Sequence, residues 1–388
     1  MVPVAYNLRS LAVRKTTTAA TALGIGLVVF VFSSVLMLSA GIRRTLSATG
    51  GKDVAIVMRK GSDAELSSAI EAANTNLVLA QKEVARRADG SPDGVGEVIV
   101  VISAEKLGTE GISNVMIRGV PDDVFKFRPE VTLVEGRMAK PGSDECVIGK
   151  AIRGRFRGLD LGQSVELRKN RTLRVVGVIA SGGSSYESEV WAGIDTVRST
   201  FGREGYVQSI RARLTSPEAY DAFERSVESH RQLGLGVDRE TDYYEHQSQG
   251  TSLFITSLGT TIAFFFALGA MIGAMITMYS AVANRKREIG ALRALGFSKL
   301  SIMTSFLFES VALASLGGAV GALASCCMGL VSFSLVNFQS WSEVVFHFEP
   351  NLGNVGAGLL FAVGMGVLGG LFPAISAARM PLVKALKD

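Results

Sequence analysis

Four long apolar runs, almost free of charged residues, are separated by more polar segments along the chain. They cover residues 18–40, 253–283, 300–336 and 352–378, and each reaches the about 20 residues that a membrane-spanning helix needs. The second run would measure about 46 Å as one helix, which exceeds the roughly 30 Å hydrocarbon core of a bilayer. We therefore expect four spanning helices, the second of which projects beyond the bilayer as a stalk.

The segment between the first two runs has the polar and apolar balance of a water-soluble domain. Helical periodicity predicts helices at Asp63–Arg87 and Pro217–Arg231, and short strands interrupted by helices indicate an α+β fold. Strand and turn signals are densest at about 132–194, which we interpret as an inserted subdomain, and 240–250 is predicted to be a polar linker. The predicted strands are Val54–Met58, Glu97–Ile102, Val115–Val120, Val165–Arg168, Leu173–Ile179 and Val207–Arg213.

Lysine and arginine in the short connections predict the orientation of the spans, because these residues are enriched on the cytoplasmic side. The N-terminal segment, the connection at 284–299 and the C-terminal tail carry them, whereas the connection at 337–351 carries none. Both termini are therefore expected in the cytoplasm, with the large insert outside it. Trp341, Phe346 and Phe348 in the outer connection suit a membrane interface.

These patterns predict a membrane α-helical protein with a large α+β extracytoplasmic domain between its first two spans. In chain order it comprises a cytoplasmic amphipathic helix (1–17), a first span (18–41), the extracytoplasmic domain (42–251), a second span with its stalk (252–283), a cytoplasmic loop helix (284–299), a third span (300–336), an outer loop (337–351), a fourth span (352–379) and a cytoplasmic tail (380–388).

Composition supports a membrane protein and excludes several kinds of site. Hydrophobic residues make up 48% of the chain and charged residues 19%, with a net charge of +5, whereas soluble chains have about 25% charged residues. Cys146 is alone and Cys326 and Cys327 are adjacent, so a disulfide framework is not expected. The three histidines are scattered and no hydrolase motif occurs, so we predict neither a metal site nor an enzyme.

The connection between the second and third runs has the pattern of a short amphipathic helix. Ile289, Leu292 and Leu295 recur at helical spacing, which places them on one face. Glu288 lies near the start, where a carboxylate suits the helix dipole, and Gly296 is placed to end the helix. An apolar helix face presented to the cytoplasm is suited to docking into the groove of a partner protein.

Small residues and one carboxylate stand out inside the spans. Glu309 lies about ten residues into the third run, where an ionised group costs a few kcal/mol. We expect it to be neutral or paired, with a cation of the 284–299 loop or with a hydroxyl. Pro373 is expected to bend or end the last helix. Three glycine pairs have the spacing of close helix crossings, within the subunit or across a dimer: Gly269 and Gly273, Gly317 and Gly321, Gly366 and Gly370.

Three motifs of the C-terminal half resemble the membrane subunits of MacB/FtsX-type ABC transporters. They are Arg287-Glu-Ile-Gly-x-Leu-Arg-x-Leu-Gly296, the run Gly317-Gly-x-x-Gly321 after Phe308-Glu309-Ser310, and Gly370-x-x-Pro373-Ala with Ala377 and Pro381-x-x-x-Ala385-Leu386. The plan of one span, a large external domain and three further spans is also similar, and 42–251 is similar in outline to porter and sabre subdomains. The resemblance implies a coupling helix that contacts an ATPase through Arg285, Lys286, Arg287, Glu288, Ile289, Leu292, Arg293, Leu295 and Gly296.

The resemblance also implies the partners of the chain. Macrolide-exporting members carry a fused ATPase domain, but no phosphate-binding Gly-x-x-x-x-Gly-Lys-Ser/Thr motif occurs here. We therefore expect ATP and Mg²⁺ on a separate ATPase subunit in two copies, as in Lol-type and DevC-type permeases, and no cofactor in this chain. A second permease copy is expected in the bacterial inner membrane, as a homodimer or with a paralogue. A periplasmic adaptor and an outer-membrane channel are further possible partners, and nucleic acid is not expected.

Two functions remain open at this point. The first is a permease that uses mechanotransmission to export or extract a lipid, a lipoprotein, a peptide or an amphipathic drug. The alternative is an FtsX-like mechanotransmitter that transports nothing and regulates an external cell-wall hydrolase or signalling partner. The basic run from Arg153 to Arg157 suits a solvated basic face, with binding of lipid headgroups or of an acidic partner as the alternative.

Overall fold

A computed structural model describes residues 15–230 and 233–381 of the chain. It divides into two compact units. The membrane unit combines Met1–Gly41, Leu253–Val331 and His347–Asp388, and the sheet unit combines Ile42–Ser252 and Ser332–Phe346. The amphipathic helix predicted for 1–17 and the tail predicted for 380–388 lie almost entirely outside the described residues.

The described residues contain nine α-helices. They are α1 (Lys15–Ser47), α2 (Ala73–Leu79), α3 (Val124–Phe127), α4 (Ile194–Phe201), α5 (Tyr220–Ser229), α6 (Glu240–Asn284), α7 (Lys286–Ala294), α8 (Lys299–Cys326) and α9 (Leu352–Ala378). Four of them, α1, α6, α8 and α9, are long and apolar enough to cross a membrane. The prediction of four spanning helices is therefore confirmed.

The described residues also contain fourteen strands, ten of which form one sheet. They are β1 (Val54–Arg59), β2 (Ile70–Glu71), β3 (Gly94–Glu105), β4 (Ile112–Val120), β5 (Thr132–Gly136), β6 (Glu145–Gly149), β7 (Ser164–Arg168), β8 (Arg171–Ala180), β9 (Glu189–Gly193), β10 (Tyr206–Val207), β11 (Ser209–Arg213), β12 (Leu235–Arg239), β13 (Ser332–Val336) and β14 (Glu343–His347). The order in the sheet is β12-β1-β11-β3-β4-β9-β6-β8-β5, with β7 also paired to β8. The α+β prediction is confirmed.

Strand β3 joins the two halves of this sheet because it changes partner along its length. Its first residues pair with β11, where Glu97 lies opposite Ser209, and the residues from Val98 onward pair with β4. The segment predicted as a subdomain continues the same sheet through the parallel pair β4–β9. Its apolar side chains, such as Val175 and Val190, share one core cluster with Val98 of β3.

A single helix at Asp63–Arg87 was the wrong prediction. The region contains a 3₁₀ turn, Glu65–Ser67, followed by β2 and the short α2. Serine hydroxyls compete with helical hydrogen bonds here. Ser67 Oγ donates to the carbonyl of Ala64 at 2.8 Å, and the amide of Arg59 donates to Ser68 Oγ at 2.9 Å.

The polar linker predicted at 240–250 is instead the first part of α6, which begins at Glu240. Glu240 and Asp242 lie in its first turn, where carboxylates stabilise the exposed amides of a helix. Tyr243 and Tyr244 are buried in the sheet unit. Gln247 and Ser248 are also buried, whereas Glu245 and His246 are exposed, so the polar composition of this segment reflects a helix with one buried and one exposed side and not a flexible connection.

The third apolar run does not form one helix to residue 336. Helix α8 ends at Cys326, and β13 and β14 form a hairpin that belongs to the sheet unit as far as Phe346. Phe346 is 1% exposed and Phe348 is also buried, so the expectation that these two phenylalanines lie at a membrane interface was wrong. The run Ser332-Phe-Ser-Leu-Val alternates with the period of a strand, a pattern that its high hydropathy concealed.

Two of the three glycine pairs form close helix crossings in the membrane unit. A Cβ at Gly321 would lie 2.1 Å from the carbonyl oxygen of Gly26, so α8 packs directly on the backbone of α1. Gly317 packs in the same way on α1, and Gly366 and Gly370 of α9 pack on α8. No described atom lies within 4 Å of the Cβ positions of Gly269 and Gly273. Helix α9 continues past Pro373 to Ala378.

Candidate functional site

The predicted coupling helix is α7. Helix α6 ends at Asn284 and α7 starts at Lys286, so Arg285 is the single residue between the two helices. Glu288 in its first turn and Arg293 in its last turn both complement the helix dipole. Gly296 then adopts a left-handed backbone with φ of 92°, and the amide of Phe297 donates to the carbonyl of Leu292 at 3.1 Å. These contacts end the helix in the way that favours glycine.

The residues of the predicted docking face do not lie on one surface, because some are buried in the protein and others are exposed. Ile289 is 2% exposed and belongs to a core cluster with Val282 of α6 and Phe306 of α8. Its proposed contact with a partner protein is therefore corrected, because α7 uses this residue to pack on its own membrane unit. Leu292 is half-buried on the same side of α7 as Ile289, whereas Leu295 is 78% exposed.

The outward side of α7 is mainly charged. Lys286, Arg287 and Glu288 are exposed, and with Leu295 and Gly296 they form what we call the outer face of α7. Arg293 is half-buried, and its Nε is buried without a hydrogen-bond partner among the described residues. The helix thus has an apolar inner side and a mixed outer face of limited size.

Arg285 forms a buried ion pair with Glu309 of α8. The distance from Arg285 Nη1 to Glu309 Oε2 is 2.9 Å, and both side chains are at most 10% exposed. The structure thus pairs Glu309 with a cation of the loop, one of the two partners expected for it. Removing one member of a buried pair leaves an uncompensated charge, so this pair fixes the start of α7 to α8.

A second polar site lies inside the sheet unit and was not predicted. We call it the charge cluster: three arginines and four glutamates, each at most 5% exposed. Its members come from strands, from turns and from the first residue of α6. They are Glu65, Glu97, Arg118, Arg128, Glu189, Arg211 and Glu240. With three positive and four negative groups, the cluster needs further hydrogen-bond donors for full compensation.

Glu97 lies at the centre of the charge cluster, where β3 changes partner. Its Oε2 accepts hydrogen bonds from Arg118 Nη1 of β4 at 2.7 Å and from Arg211 Nε of β11 at 3.0 Å. Its Oε1 accepts a third bond from Arg128 Nη2 at 3.1 Å. One carboxylate therefore connects both halves of the sheet.

Arg118 also holds Glu189 on β9 through two parallel hydrogen bonds, of 2.6 and 2.7 Å. This two-point geometry is the strongest form of an arginine–carboxylate contact. The indole Nε1 of Trp191 donates to the same carboxylate at 2.9 Å. The guanidinium of Arg128 lies 4.5 Å from the ring centroid of Tyr186, a cation–π distance.

Glu240 connects the charge cluster to the points where the chain enters and leaves the sheet unit. Arg211 Nη1 donates to Glu240 Oε1 at 2.9 Å, and the backbone amide of Gly51 donates to Glu240 Oε2 at 2.9 Å. Gly51 follows α1 closely in sequence, and Glu240 is the first residue of α6. The two membrane-spanning helices therefore continue into segments that meet at one buried carboxylate.

The electrostatics of the charge cluster favour its charged form. Burial alone raises the pKa of a carboxyl, but Arg211 and Arg118 outweigh burial and hold the pKa of Glu65 below its ordinary value. Burial also raises the pKa of Glu97, but Arg128, Arg118 and Arg211 outweigh it and lower this pKa strongly. Burial raises the pKa of Tyr244 to about 12, so this hydroxyl is neutral at physiological pH.

A sequence signal for the charge cluster exists, although it is weak on its own. Glu97, Arg118 and Arg211 each interrupt a strand in which the adjacent positions are Val, Ile, Ala or Gly. An isolated charge at such a position suggests an exposed face of a strand. The four carboxylates and three guanidiniums come together only through pairing of strands that are distant in sequence.

The remaining sequence candidates have structural roles. Burial raises the pKa of the Cys146 thiol to about 12, so it behaves as a small apolar side chain. In the basic run, Arg153 pairs with Glu135 and Asp160, and Arg157 pairs with Glu105. Within residues 15–230 and 233–381, no group of three or more His, Cys, Asp or Glu side chains is arranged to hold a metal ion.

Comparison with known proteins gives matches to both units. The family model of the MacB-like periplasmic core domain matches residues 16–230, and that of the FtsX-like permease C-terminal region matches residues 260–382. Among solved structures, the periplasmic region of MacB from Actinobacillus actinomycetemcomitans aligns with a TM-score of 0.38 and 15% identity, over 51% of this chain and 94% of that chain.

Curated relatives include two macrolide export ATP-binding/permease proteins. MacB of Burkholderia pseudomallei (strain 1710b) is 28% identical over 294 residues, which are 70% of this chain and 43% of that protein. MacB 1 of Aeromonas hydrophila subsp. hydrophila is 27% identical over 313 residues, 77% of this chain and 43% of that protein. The chain spans less than half the length of these relatives. The periplasmic-core model alone covers more than half of the chain, and the permease model extends from residue 260 within α6 to the end of α9, so the chain belongs to the MacB/FtsX-type ABC transporter permeases.

Proposed function

We propose that this chain is the transmembrane subunit that couples an ABC ATPase, located outside these 388 residues, to motion of the sheet unit. The transport step is export or extraction of a lipid, a lipoprotein, a peptide or an amphipathic drug by mechanotransmission. The observation that carries the proposal is α7, a short helix seated on its own membrane unit by Ile289 and by the Arg285–Glu309 pair. A helix fixed on its inner side transmits a push applied to its outer face.

The path of the motion follows from the ends of α6. This helix begins at Glu240 in the charge cluster and ends at Asn284, one residue before Arg285. A movement of α7 acts on the C-terminal end of α6 through Val282 and Ile289, which share one core cluster. At the other end, Glu240 resists separation from β11, because a break would leave buried charges unpaired.

The partners follow from the same assignment. Two ATPase copies bind ATP and Mg²⁺, each contacts one α7, and a second permease copy completes the complex. Both termini and α7 lie in the cytoplasm, the sheet unit lies outside it, and the membrane is the bacterial inner membrane. The chain itself performs no catalysis. The names of the curated relatives support a macrolide-like amphipathic drug as one class of cargo.

The test is association of this chain with the ABC ATPase that stimulates it, measured in lipid nanodiscs by affinity capture at defined concentrations. Leu295→Asp on the outer face of α7 should lower the affinity at least tenfold. The matched control is Leu352→Asp at the first residue of α9, a leucine that is 91% exposed, and it should leave the affinity unchanged. Equal binding by both variants would refute the assignment of α7 as the contact.

The FtsX-like match at residues 260–382 also fits the alternative of a mechanotransmitter that transports nothing. Both functions use the same α7 and the same α6. They differ in what the sheet unit acts on, which is a cargo molecule in the first case and an external hydrolase or signalling partner in the second. Cargo-stimulated ATPase activity of the purified complex supports transport, whereas stimulation only by an external protein partner supports the alternative.

A further inference from the structure

An open groove of about 710 Å³ lies in the sheet unit, and none of the seven residues of the charge cluster lines it. One wall is the turn of the β13–β14 hairpin, with Phe338, Gln339 and Trp341. The opposite walls come from residues 58–67 and from the first turns of α6, which contribute Tyr243 and His246. The volume is within the range of small-molecule sites in proteins.

The hairpin turn presents Trp341 in a fixed and unusual conformation. Its φ is 50°, a left-handed backbone that is rare for a bulky residue, and its side chain is 62% exposed. The amide of Trp341 donates to the carbonyl of Asn337 at 2.8 Å, and Asn114 Nδ2 donates to the carbonyl of Trp341 at 2.8 Å. These contacts hold the backbone that carries the exposed indole, so the turn is not a loose loop.

The hairpin is anchored on the sheet unit by further polar contacts. Lys106 Nζ pairs with Glu343 Oε2 at 2.6 Å, and Asn337 Nδ2 donates to Gln247 Oε1 of α6 at 3.3 Å. Burial opposes ionisation of Glu343, but hydrogen bonds from Lys106, Ser113 and Ser334 together outweigh burial, and the pKa of Glu343 is lowered. The position of the aromatic wall is thus set before any ligand binds.

The polar lining of the groove consists of two carboxylates, two serine hydroxyls, the amide of Gln339, the hydroxyl of Tyr243 and the imidazole of His246. Asp63 and Asp238 line it, and no lysine or arginine is among its lining residues. Surrounding protein atoms raise the pKa of Asp238, an effect that His246 opposes. The side-chain oxygen of Gln339 has no hydrogen-bond partner among the described residues. A molecule that fills the groove meets aromatic faces and two carboxylates.

We infer that this groove binds an amphipathic organic cation. Its apolar body would lie against Phe338, Trp341 and Tyr243, and its positive group would lie beside Asp63 and Asp238. Aromatic faces attract cations through their quadrupole, and carboxylates attract them by charge, so the two features select the same ligand. The inference rests on the proposed function for its role as a cargo site, but binding itself does not require an ATPase.

The test uses two hydrophobic ions of nearly equal shape and opposite charge, tetraphenylphosphonium and tetraphenylborate. The full chain is placed in nanodiscs of zwitterionic lipid, and empty nanodiscs measure partition of each ion into lipid. The chain has two tryptophans, of which Trp191 is 1% exposed. Quenching by iodide therefore reports on Trp341, and protection of Trp341 by a bound ion is the measured signal.

Tetraphenylphosphonium should give saturable protection and tetraphenylborate should give none beyond the empty-disc baseline. Asp63→Asn with Asp238→Asn should weaken binding at least tenfold, and Phe338→Ala should also weaken it. The control is Asp195→Asn, whose side chain is 91% exposed and which does not line the groove. Folding of each variant is checked by the unchanged emission of buried Trp191.

Equal protection by both ions, or protection that persists in the double aspartate variant, would overturn the inference. The inference would also be overturned if tetraphenylphosphonium gave no saturable protection in the parent chain, so that iodide quenched Trp341 equally at every concentration of the ion. Protection that occurs without either ion, and that depends on protein concentration, would show that a second copy of the chain covers the groove instead. Each of these results leaves the ATPase association of the Leu295→Asp experiment unaffected, so the two proposals fail independently.

Discussion

Arg211 Nη1 donates a 2.9 Å hydrogen bond to Glu240 Oε1, so a central strand of the sheet holds the first residue of a membrane-spanning helix. Both side chains are at most 2% exposed. A buried contact of this kind resists pulling more strongly than a surface pair, because separation leaves charges without compensation. The pair therefore fixes the end of α6 on the sheet through which the proposed motion is delivered.

Replacement of Arg211 by Met should destabilise the sheet unit strongly. The variant leaves Glu65, Glu97 and Glu240 with fewer positive partners, and breaking a buried pair costs about 3–5 kcal/mol. Denaturant unfolding of the full chain, followed by the emission of Trp191, measures the loss. Glu228→Gln, which removes an exposed pair with Lys60, should cost about 1 kcal/mol or less. A similar loss in both variants would contradict this role for the charge cluster.

The charge cluster should make stability depend on acid. Glu65 and Glu97 have a lowered pKa in the folded protein relative to the ordinary value of 4.5. Their contribution is therefore present above the unfolded pKa and is lost as pH falls through the folded pKa. The denaturation midpoint should be steady at neutral pH and should decline on acidification below about pH 4.5. Glu97→Gln should flatten this decline, and an equally steep decline in that variant would assign it to other carboxylates.

The fold was predictable from sequence where a pattern was local. Hydropathy identified the four spans, and strand-like runs matched β1, β3, β4, β7, β8 and β11, six of the fourteen described strands, including those around Glu97 and Arg118. The helix at 286–294 followed from the spacing of Ile289 and Leu292, but which side faced inward depended on α8 and α9, which no local pattern records. The charge cluster escaped prediction for the same reason. Its members are far apart in sequence and become neighbours only through strand pairing.

The Arg285–Glu309 pair should show strong coupling in a double-mutant cycle. Glu309→Gln alone leaves Arg285 buried beside a neutral amide, which costs about 3 kcal/mol or more. Arg285→Met with Glu309→Leu removes both charges and should recover most of that loss, since apolar replacement of a buried pair is often nearly neutral. Thermal loss of helical circular dichroism in nanodiscs measures each variant. A double variant as unstable as the sum of the single ones would show that the two residues act independently.

The glycine pairs offer a matched comparison within one chain. Gly321→Leu places side-chain atoms where the carbonyl of Gly26 now lies, so it should lower the unfolding temperature and the yield of folded protein. Gly273→Leu meets no described atom within 4 Å of its Cβ and should leave the stability of a single chain unchanged. Light scattering of the second variant also tests whether this face of α6 contacts another copy. Equal destabilisation by both variants would contradict the packing of α8 on α1.

The most direct test of the coupling mechanism follows the sheet unit during ATP turnover. A spin label at Val134→Cys, an exposed position of β5, reports distances between permease copies by pulsed electron resonance. Cys326→Ala and Cys327→Ala remove the accessible thiols, and buried Cys146 remains.

In the complex with its ATPase, the distance distribution should shift between the nucleotide-free state and the state trapped with ATP and vanadate. The shift should vanish with Leu295→Asp and persist with Leu352→Asp. A full shift in the Leu295→Asp variant, or none in the parent complex, would contradict mechanotransmission through the outer face of α7.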